Sequence, residues 1–284
     1  MFGIEISIKN NSMSEVLNIP QGGNRQGHWR FFPDGPRDGP TNMAIDEVLA
    51  LGCARGWSPP SLRLYGWTVP TVSLGYNQPI HGEIDVHACR ERGVPVVRRP
   101  TGGRALLHHQ ELTYSLVLPI PRGSRGVLED YRWISHCLLL SLRRLGVTAT
   151  LSRGNRTQGE AGGLCFISSS RYELTVDGRK LIGSAQRRWG GTLLQQGSLL
   201  IEIDHGAWIT LFPQARDLEL RATALTCILG RSPSWEELVK AMHEGFEEGA
   251  RVQLEAGGLT AREETMVREL VVERYATTEW TTRR

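Results

Sequence analysis

The chain has 284 residues, a net charge of +3 and 40% hydrophobic residues. This length suits one large domain, and the nearly balanced charge argues against a nucleic-acid-binding protein. No apolar run reaches the roughly 18 residues that a membrane-spanning helix needs. The first 27 residues also lack the basic end and apolar core of a signal peptide. We therefore expect a cytoplasmic protein without membrane contact.

Cysteine usage points away from metal and disulfide chemistry. The cysteines are odd in number, scattered and without a C-x-x-C pair, which argues against a disulfide framework and a structural zinc site. They are Cys53, Cys89, Cys137, Cys165 and Cys227. A metal site at the adjacent His108 and His109 is not expected, because neighbouring residues of a strand point to opposite faces. The sequence predicts no metal and no cofactor.

The first half of the chain mixes strand and helix patterns. Residues 1–27 are rich in Asn, Ser, Gln and Gly, which is typical of a poorly ordered leader. Thr41 is placed to cap a helix over residues 42–51, and apolar spacing predicts another over residues 129–145. A shorter helix is expected near residues 85–92. Strand patterns occur at residues 28–32, 61–65, 71–74, 95–98 and 112–118.

The second half begins with a glycine-rich stretch and ends with helices. Four glycines within residues 152–163 predict a mobile loop. The dipeptide Asp177-Gly178 is a hairpin signal between two of the strands that follow. Ser234 and Thr260 each begin a capping box, which marks a helix start. The strand patterns of this half are residues 171–176, 180–186 and 192–201.

Residues 98–108, Arg-Arg-Pro-Thr-Gly-Gly-Arg-Ala-Leu-Leu-His, form the first segment suited to ligand binding. Its paired glycines, Gly102 and Gly103, allow backbone N–H groups to approach a ligand closely. Its arginines, among them Arg99 and Arg104, can bind phosphate or carboxylate. The same pattern also fits an ordinary turn with exposed arginines. It matches neither the dinucleotide fingerprint nor the Walker phosphate loop.

The second segment joins Cys165 to Lys180. Cys165 follows the glycine-rich loop and lies outside the apparent helices and apolar runs. Only three of the 33 basic residues are lysine, and Lys180 follows Cys165 by 15 residues across a hairpin. A nucleophilic thiol needs access and a lowered pKa, which a nearby ammonium supplies. The spacing therefore suggests a Cys–Lys dyad, although Cys165 packed as a small apolar residue fits as well.

Several separated motifs resemble one superfamily. Residues 98–109 and 111–115 resemble the signature of the biotin/lipoate protein ligase superfamily. The stretch from Cys165 to Gln186, with Gly-Arg-Lys-Leu-Ile-Gly-Ser-Ala-Gln at its end, resembles one branch, the octanoyltransferases similar to lipoate-protein ligase A. Residues 42–47 and 234–246 resemble that branch too, so the resemblance covers roughly residues 28–280.

This resemblance implies a fold and a set of functional residues. The fold is α+β, a mixed and largely antiparallel sheet flanked by helices, with a catalytic domain at residues 28–250 and a small helical tail at residues 251–284. Cys165 is the implied acyl-thioester nucleophile, and Lys180 lowers its pKa. The implied substrate-binding residues are Arg99, Gly102, Gly103, Arg104, His108, Gly183, Ser184 and Ala185.

The resemblance also implies a reaction in lipoate biosynthesis. An octanoyl group moves from octanoyl-acyl-carrier protein to Cys165, and then to a lysine of a lipoyl carrier protein such as the glycine cleavage H protein. ATP is not required, because passing from a thioester to an amide is energetically downhill. Backbone N–H groups at residues 102–104 or 183–185 are two open choices for the oxyanion donors.

The sequence is also compatible with three other functions. An ATP-dependent lipoate or octanoate ligase shares the scaffold and needs no cysteine. An amidotransferase that moves the acyl group between carrier proteins uses a cysteine in the same way. A non-catalytic acyl-protein binder would simply pack Cys165.

Overall fold

The structure is a computed structural model that describes residues 27–120, 126–152 and 173–283. Cys165, most of the predicted glycine-rich loop and nearly all of the predicted leader lie outside these ranges. The strands of this part of the chain are β1 (His28–Arg37), β2 (Ser61–Trp67), β3 (Thr71–Leu74), β4 (Val96–Arg98), β5 (Leu106–His108), β6 (Glu111–Pro119), β7 (Thr150–Leu151), β8 (Leu174–Val176), β9 (Arg179–Trp189), β10 (Thr192–Leu200) and β11 (Gln253–Ala256).

Nine α-helices occur in the same described ranges. They are α1 (Gly39–Ala54), α2 (Val86–Glu91), α3 (Val127–Arg144), α4 (His205–Leu211), α5 (Leu218–Arg221), α6 (Leu225–Leu229), α7 (Trp235–Ala250), α8 (Ala261–Leu270) and α9 (Thr278–Thr282). A 3₁₀ turn at Ala215–Asp217 and a π-helical turn at Val271–Tyr275 complete the set. Within the described ranges, no helix combines the length and the apolar character that crossing a membrane requires.

The larger sheet has eight strands in the order β11-β1-β2-β6-β10-β9-β8-β7. The pairs β1–β11 and β1–β2 are parallel, and the other pairs are antiparallel. A second sheet has the order β4-β3-β5. The predicted α+β class, with a mixed, largely antiparallel sheet flanked by helices, is therefore confirmed.

Helix α1 begins earlier than the sequence predicted. Asp38, not Thr41, is the N-cap, and its carboxylate accepts a hydrogen bond from the Thr41 backbone N–H at 2.9 Å. Pro40 fits in the first turn because an N–H group at that position would have no acceptor within the helix, so its absence costs nothing. The capping boxes predicted at Ser234 and Thr260 are both present, and they begin α7 and α8.

Three strands were not predicted from the sequence. Strand β5 has three residues, β7 has two, and β11 has four residues within the tail predicted to be helical. Such runs are too short for a periodic pattern to reveal them. Strand β11 forms because the edge of β1 offers a parallel partner, with Trp29 opposite Leu254. The tail is therefore helical with one added strand, while the proposed division at residue 250 stays a prediction.

The main core lies between the larger sheet and the helices α3 and α7. The apolar positions that predicted α3, such as Ile134, Leu138 and Leu142, are all buried against this sheet. Met242 and Phe246 of α7 pack into the same cluster. The helical spacing in the sequence thus identified the buried faces correctly.

A buried ion pair attaches the C-terminal helices to β1. The guanidinium of Arg30 donates to the two carboxylate oxygens of Glu263 at 2.7 and 2.6 Å. Ser58 and the Thr260 N–H donate to the same carboxylate at 2.5 and 2.7 Å. Burial opposes ionisation, but these donors outweigh it and lower the pKa of Glu263 to about 2.

Glu263→Gln is expected to lower the free energy of unfolding by about 3 kcal/mol, because it leaves Arg30 buried without its carboxylate. The stabilisation is complete above pH 4.5, the ordinary pKa of a glutamate, and is lost as the pH falls towards about 2. Urea unfolding between pH 7 and 3 measures this. The exposed Glu264→Gln is the control, and equal losses in the two variants would contradict the assignment.

Candidate active site

A cavity of about 350 Å³ opens between the two sheets and α1. This volume includes space open to solvent, and most of the lining is apolar or aromatic, as in many small-molecule sites. The lining residues are Met43, Tyr65, Trp67, Arg99, Leu106, His108, Thr113, Gly183, Ser184, Ala185, Gln196, Gly197 and Ser198. Five of the residues predicted to bind substrate, from three separate strands or loops, therefore surround one space.

Arg99 is buried and holds the loop that follows it. Its Nη1 donates to the backbone carbonyl and the hydroxyl of Ser73 at 3.1 and 2.9 Å. Its Nε and Nη2 donate to the Gly102 carbonyl at 3.1 and 2.8 Å, and Nη2 also donates to the Arg104 carbonyl at 2.8 Å. A guanidinium has five N–H groups, so all of them have acceptors within the chain.

The glycine pair of this loop packs against a third glycine. A Cβ placed on Gly75 would lie 2.0 Å from the carbonyl oxygen of Gly103. Gly103 has a φ of +91°, a backbone conformation that residues with a Cβ rarely adopt. Gly102, Gly103 and Arg104, which were predicted to bind substrate, do not line the cavity. The guanidinium of Arg104 instead forms an ion pair with Glu83.

His108 connects this loop to a buried carboxylate. Its Nε2 lies 2.7 Å from the Ser73 hydroxyl, and its Nδ1 lies 2.6 Å from Glu111 Oε1. The ring stacks on Trp67 with 4.0 Å between the centroids. His108 is buried, whereas His109 lies just past the end of β5 and is exposed.

Strand β9 supplies the opposite wall of the cavity through Gly183, Ser184 and Ala185. The Ser184 hydroxyl lies 2.8 Å from the hydroxyl of Tyr114, to which Gln195 Nε2 also donates at 2.8 Å. Burial raises the pKa of Tyr114 to about 12, so this hydroxyl stays protonated at neutral pH.

Lys180 is the second residue of the same strand, and its ammonium is paired with a carboxylate. Its ammonium lies 2.6 Å from Glu173 Oε1, and the two side chains are only 5% and 6% exposed. Lys180 is not among the residues that line the cavity, although Gly183 follows it by three positions on β9. Cys165 lies outside the described residues. Glu173 was not predicted, since a single glutamate in a strand pattern carries no signal of its partner.

Asp46 is a further buried carboxylate, to which the sequence patterns gave no role. It accepts from Arg63 at 2.8 Å and Ser115 at 2.7 Å on one oxygen, and from Tyr65 at 2.9 Å and Gln196 at 2.7 Å on the other. The Gln196 carbonyl in turn accepts from Thr101 of the loop at 2.7 Å. Gln196 therefore connects Asp46 of α1 to Thr101 of the glycine loop. A charged residue on the buried face of a predicted helix was the available signal.

The chain matches known proteins along most of its length. A family described as "Lipoyl protein ligase A/B catalytic domain" matches residues 38–247. Octanoyltransferase LipM of Symbiobacterium thermophilum is 43% identical over 271 residues, covering 90% of this chain and 99% of that relative. Octanoyltransferase LipM of Bacillus subtilis is 37% identical over 273 residues, covering 90% and 98%.

Solved structures show the same fold at lower sequence identity. A lipoate-protein ligase A bound with ATP has a TM-score of 0.78 at 24% identity, covering 90% of this chain and 98% of the other. A protein described as a putative lipoate protein ligase from Thermoplasma acidophilum, with bound lipoic acid, has a TM-score of 0.75 at 23% identity, covering 90% and 99%.

Gly75→Ala is expected to lower the free energy of unfolding by about 2 kcal/mol, because the new methyl group collides with the Gly103 carbonyl. Gly66→Ala is the matched control, since its Cβ would meet Pro36 at an ordinary 3.6 Å. Urea unfolding of both variants makes the comparison. Equal stabilities would mean that the glycine loop is not packed against Gly75.

Proposed function

We propose that this chain, which belongs to the lipoyl protein ligase A/B catalytic-domain family and to its octanoyltransferases, transfers an octanoyl group through a thioester on Cys165. The similarity to the octanoyltransferases, which runs along nine-tenths of the chain, is the observation that carries the proposal. The proposed donor is octanoyl-acyl-carrier protein, and the proposed acceptor is a lysine of a lipoyl carrier protein. Both carriers are cytoplasmic partners in this proposal.

The first step exchanges one thioester for another. The Cys165 thiolate attacks the octanoyl carbonyl, the C–S bond to the carrier breaks, and the carrier thiol takes the proton that Cys165 lost. Bond types on the two sides are the same, so the step is close to energetically neutral. The tetrahedral intermediate carries a negative oxygen that backbone N–H groups stabilise.

The second step forms an amide. The neutral amine of the acceptor lysine attacks the Cys165 thioester, and the C–S bond breaks with the thiolate as the leaving group. The proton lost by the amine nitrogen returns to the sulfur. No nucleotide enters either step, which separates this reaction from that of a ligase.

Lys180 stabilises the thiolate in both steps under this proposal. An ammonium near a thiol favours the ionised form of the thiol, which is the nucleophile and the leaving group. The partner Glu173 supplies a carboxylate to this ammonium in buried surroundings, where an unpaired charge is costly. The Glu173 carboxylate also offsets part of the positive charge of Lys180. The stabilisation of the thiolate therefore depends on how close the ammonium lies to the sulfur.

The cavity offers a place for the acyl chain. Met43, Leu106 and the ring of Trp67 line it, and each methylene that they cover contributes about 0.8 kcal/mol. Arg99, His108 and residues 183–185 also line the cavity. In this proposal they lie around the thioester carbonyl of the bound substrate. Gly102, Gly103 and Arg104 belong to the loop that Arg99 holds.

Cys165→Ala is expected to abolish octanoyl transfer, because the variant has no thiol to carry the acyl group. Intact-protein mass spectrometry after incubation with octanoyl-acyl-carrier protein should show one octanoyl adduct on the wild type and none on the variant. The exposed Cys227→Ala is the control and should keep the adduct. An adduct that persists without Cys165 would exclude it as the nucleophile. Octanoic acid with ATP should give no product.

Lys180→Arg is expected to lower the transfer rate by roughly 100-fold, although it keeps a positive charge beside Glu173. Arginine stays protonated and places its charge over a wider, planar group, so it cannot replace a compact ammonium. The exposed Lys240→Arg is the matched control. Steady-state rates with octanoyl-acyl-carrier protein give the result, and a wild-type rate for Lys180→Arg would show that charge alone is sufficient.

A further inference from the structure

Glu111 is a buried carboxylate with three side-chain hydrogen-bond partners, and it does not line the cavity. Its side chain is 1% exposed. Oxygen Oε1 is 2.6 Å from His108 Nδ1 and 2.6 Å from the Thr113 hydroxyl, and Oε2 accepts from the Ser198 hydroxyl. A carboxylate that is buried and fully hydrogen-bonded in this way is held in one orientation.

The donors keep Glu111 ionised. Burial by itself opposes ionisation, but the His108 ring and the hydroxyl groups of Ser198 and Thr113 outweigh it and hold the pKa of Glu111 below its usual value. An ionised carboxylate can only accept hydrogen bonds, so a proton on His108 must lie on Nδ1. The orientation of the imidazole and the position of its proton are therefore set by Glu111.

The contacts continue from His108 to the glycine loop. The other ring nitrogen of His108, Nε2, lies 2.7 Å from the Ser73 hydroxyl. The Ser73 oxygen also accepts from Arg99 Nη1 at 2.9 Å. Arg99 in turn holds the carbonyls of Gly102 and Arg104. Hydrogen-bond contacts therefore run without a break from a carboxylate on β6 to the glycine loop.

We propose that Glu111 is a positioning residue for acyl transfer, acting through His108, Ser73 and Arg99 to hold the glycine loop beside the cavity. The functional part of this proposal rests on the proposed octanoyl transfer. It assigns Arg99 and His108 a shared task, in which their side chains fix the loop and the wall of the cavity.

The alternative is that Glu111 merely supplies a hydrogen-bond partner to a buried histidine. These two roles of Glu111 predict different effects of changing Ser73, which contacts Arg99 and His108. Ser73→Ala breaks the chain while leaving the Glu111–His108 contact in place. Residues that act through one another give non-additive changes in a double-mutant cycle, whereas independent residues give additive ones.

The test compares Glu111→Gln, Ser73→Ala and the double variant. Each single change is expected to lower the rate constant for octanoyl adduct formation by roughly 100-fold with little change in KM, because misplacement by about 1 Å has that effect. The double variant should be no slower than the slower single variant. Ser141→Ala, a buried serine that bonds within α3, is the control and should keep the wild-type rate.

Amide hydrogen exchange of the loop gives a readout that does not depend on activity. Faster exchange at residues 102–105 is expected in both single variants, with no further increase in the double variant, while the Ser141→Ala loop exchanges as in the wild type. Unchanged loop exchange, or additive effects on rate, would overturn the positioning role. If wild-type protein forms no octanoyl adduct, the proposed function fails, and loop exchange still decides whether Glu111 holds the loop.

Discussion

The structure depends on a buried ion pair between Asp46 and Arg63, both fully excluded from solvent. Such a pair is tolerated only when its remaining hydrogen-bonding groups are satisfied. Tyr65, Ser115 and Gln196 satisfy the carboxylate, and they belong to the strands β2, β6 and β10. One carboxylate on α1 therefore sets the position of the helix over the sheet, and the cavity lies beside that contact.

The loop at residues 98–104 is held from two sides by separate networks. On one side, Gln196 transmits the Asp46 network to Thr101. On the other, Glu111 reaches Arg99 through His108 and Ser73. Backbone carbonyls with fixed partners cannot turn towards solvent, so the loop keeps one shape. A preorganised loop is what a site for a developing negative charge requires.

This chain resembles octanoyltransferases in sequence and a lipoate-protein ligase A bound with ATP in fold. A shared scaffold does not determine the chemistry, which lies in particular side chains. In this chain the group proposed to distinguish a transferase from a ligase is Cys165, and the lysine proposed to assist it, Lys180, is paired with the buried Glu173. An acyl group held as a thioester needs no activation by a nucleotide, whereas a free acid does.

Local elements and the family were predictable from the order of the residues alone. Helices α3, α7 and α8 were predictable because capping and apolar spacing are properties of consecutive residues. The motifs at residues 98–115 and 165–186 were recognisable for the same reason, since their residues are contiguous. The role of Cys165 stays a prediction from these motifs.

The hydrogen bonds between residues far apart in the chain depend on the three-dimensional fold. The pairing of Lys180 with Glu173 depends on the fold of β8 and β9. Contact between Ser73, His108 and Arg99 requires the order of the smaller sheet, and β11 exists because β1 offers it an edge. Local patterns record which face of an element is buried, but a buried polar group takes its partner from strands that the chain brings together only on folding.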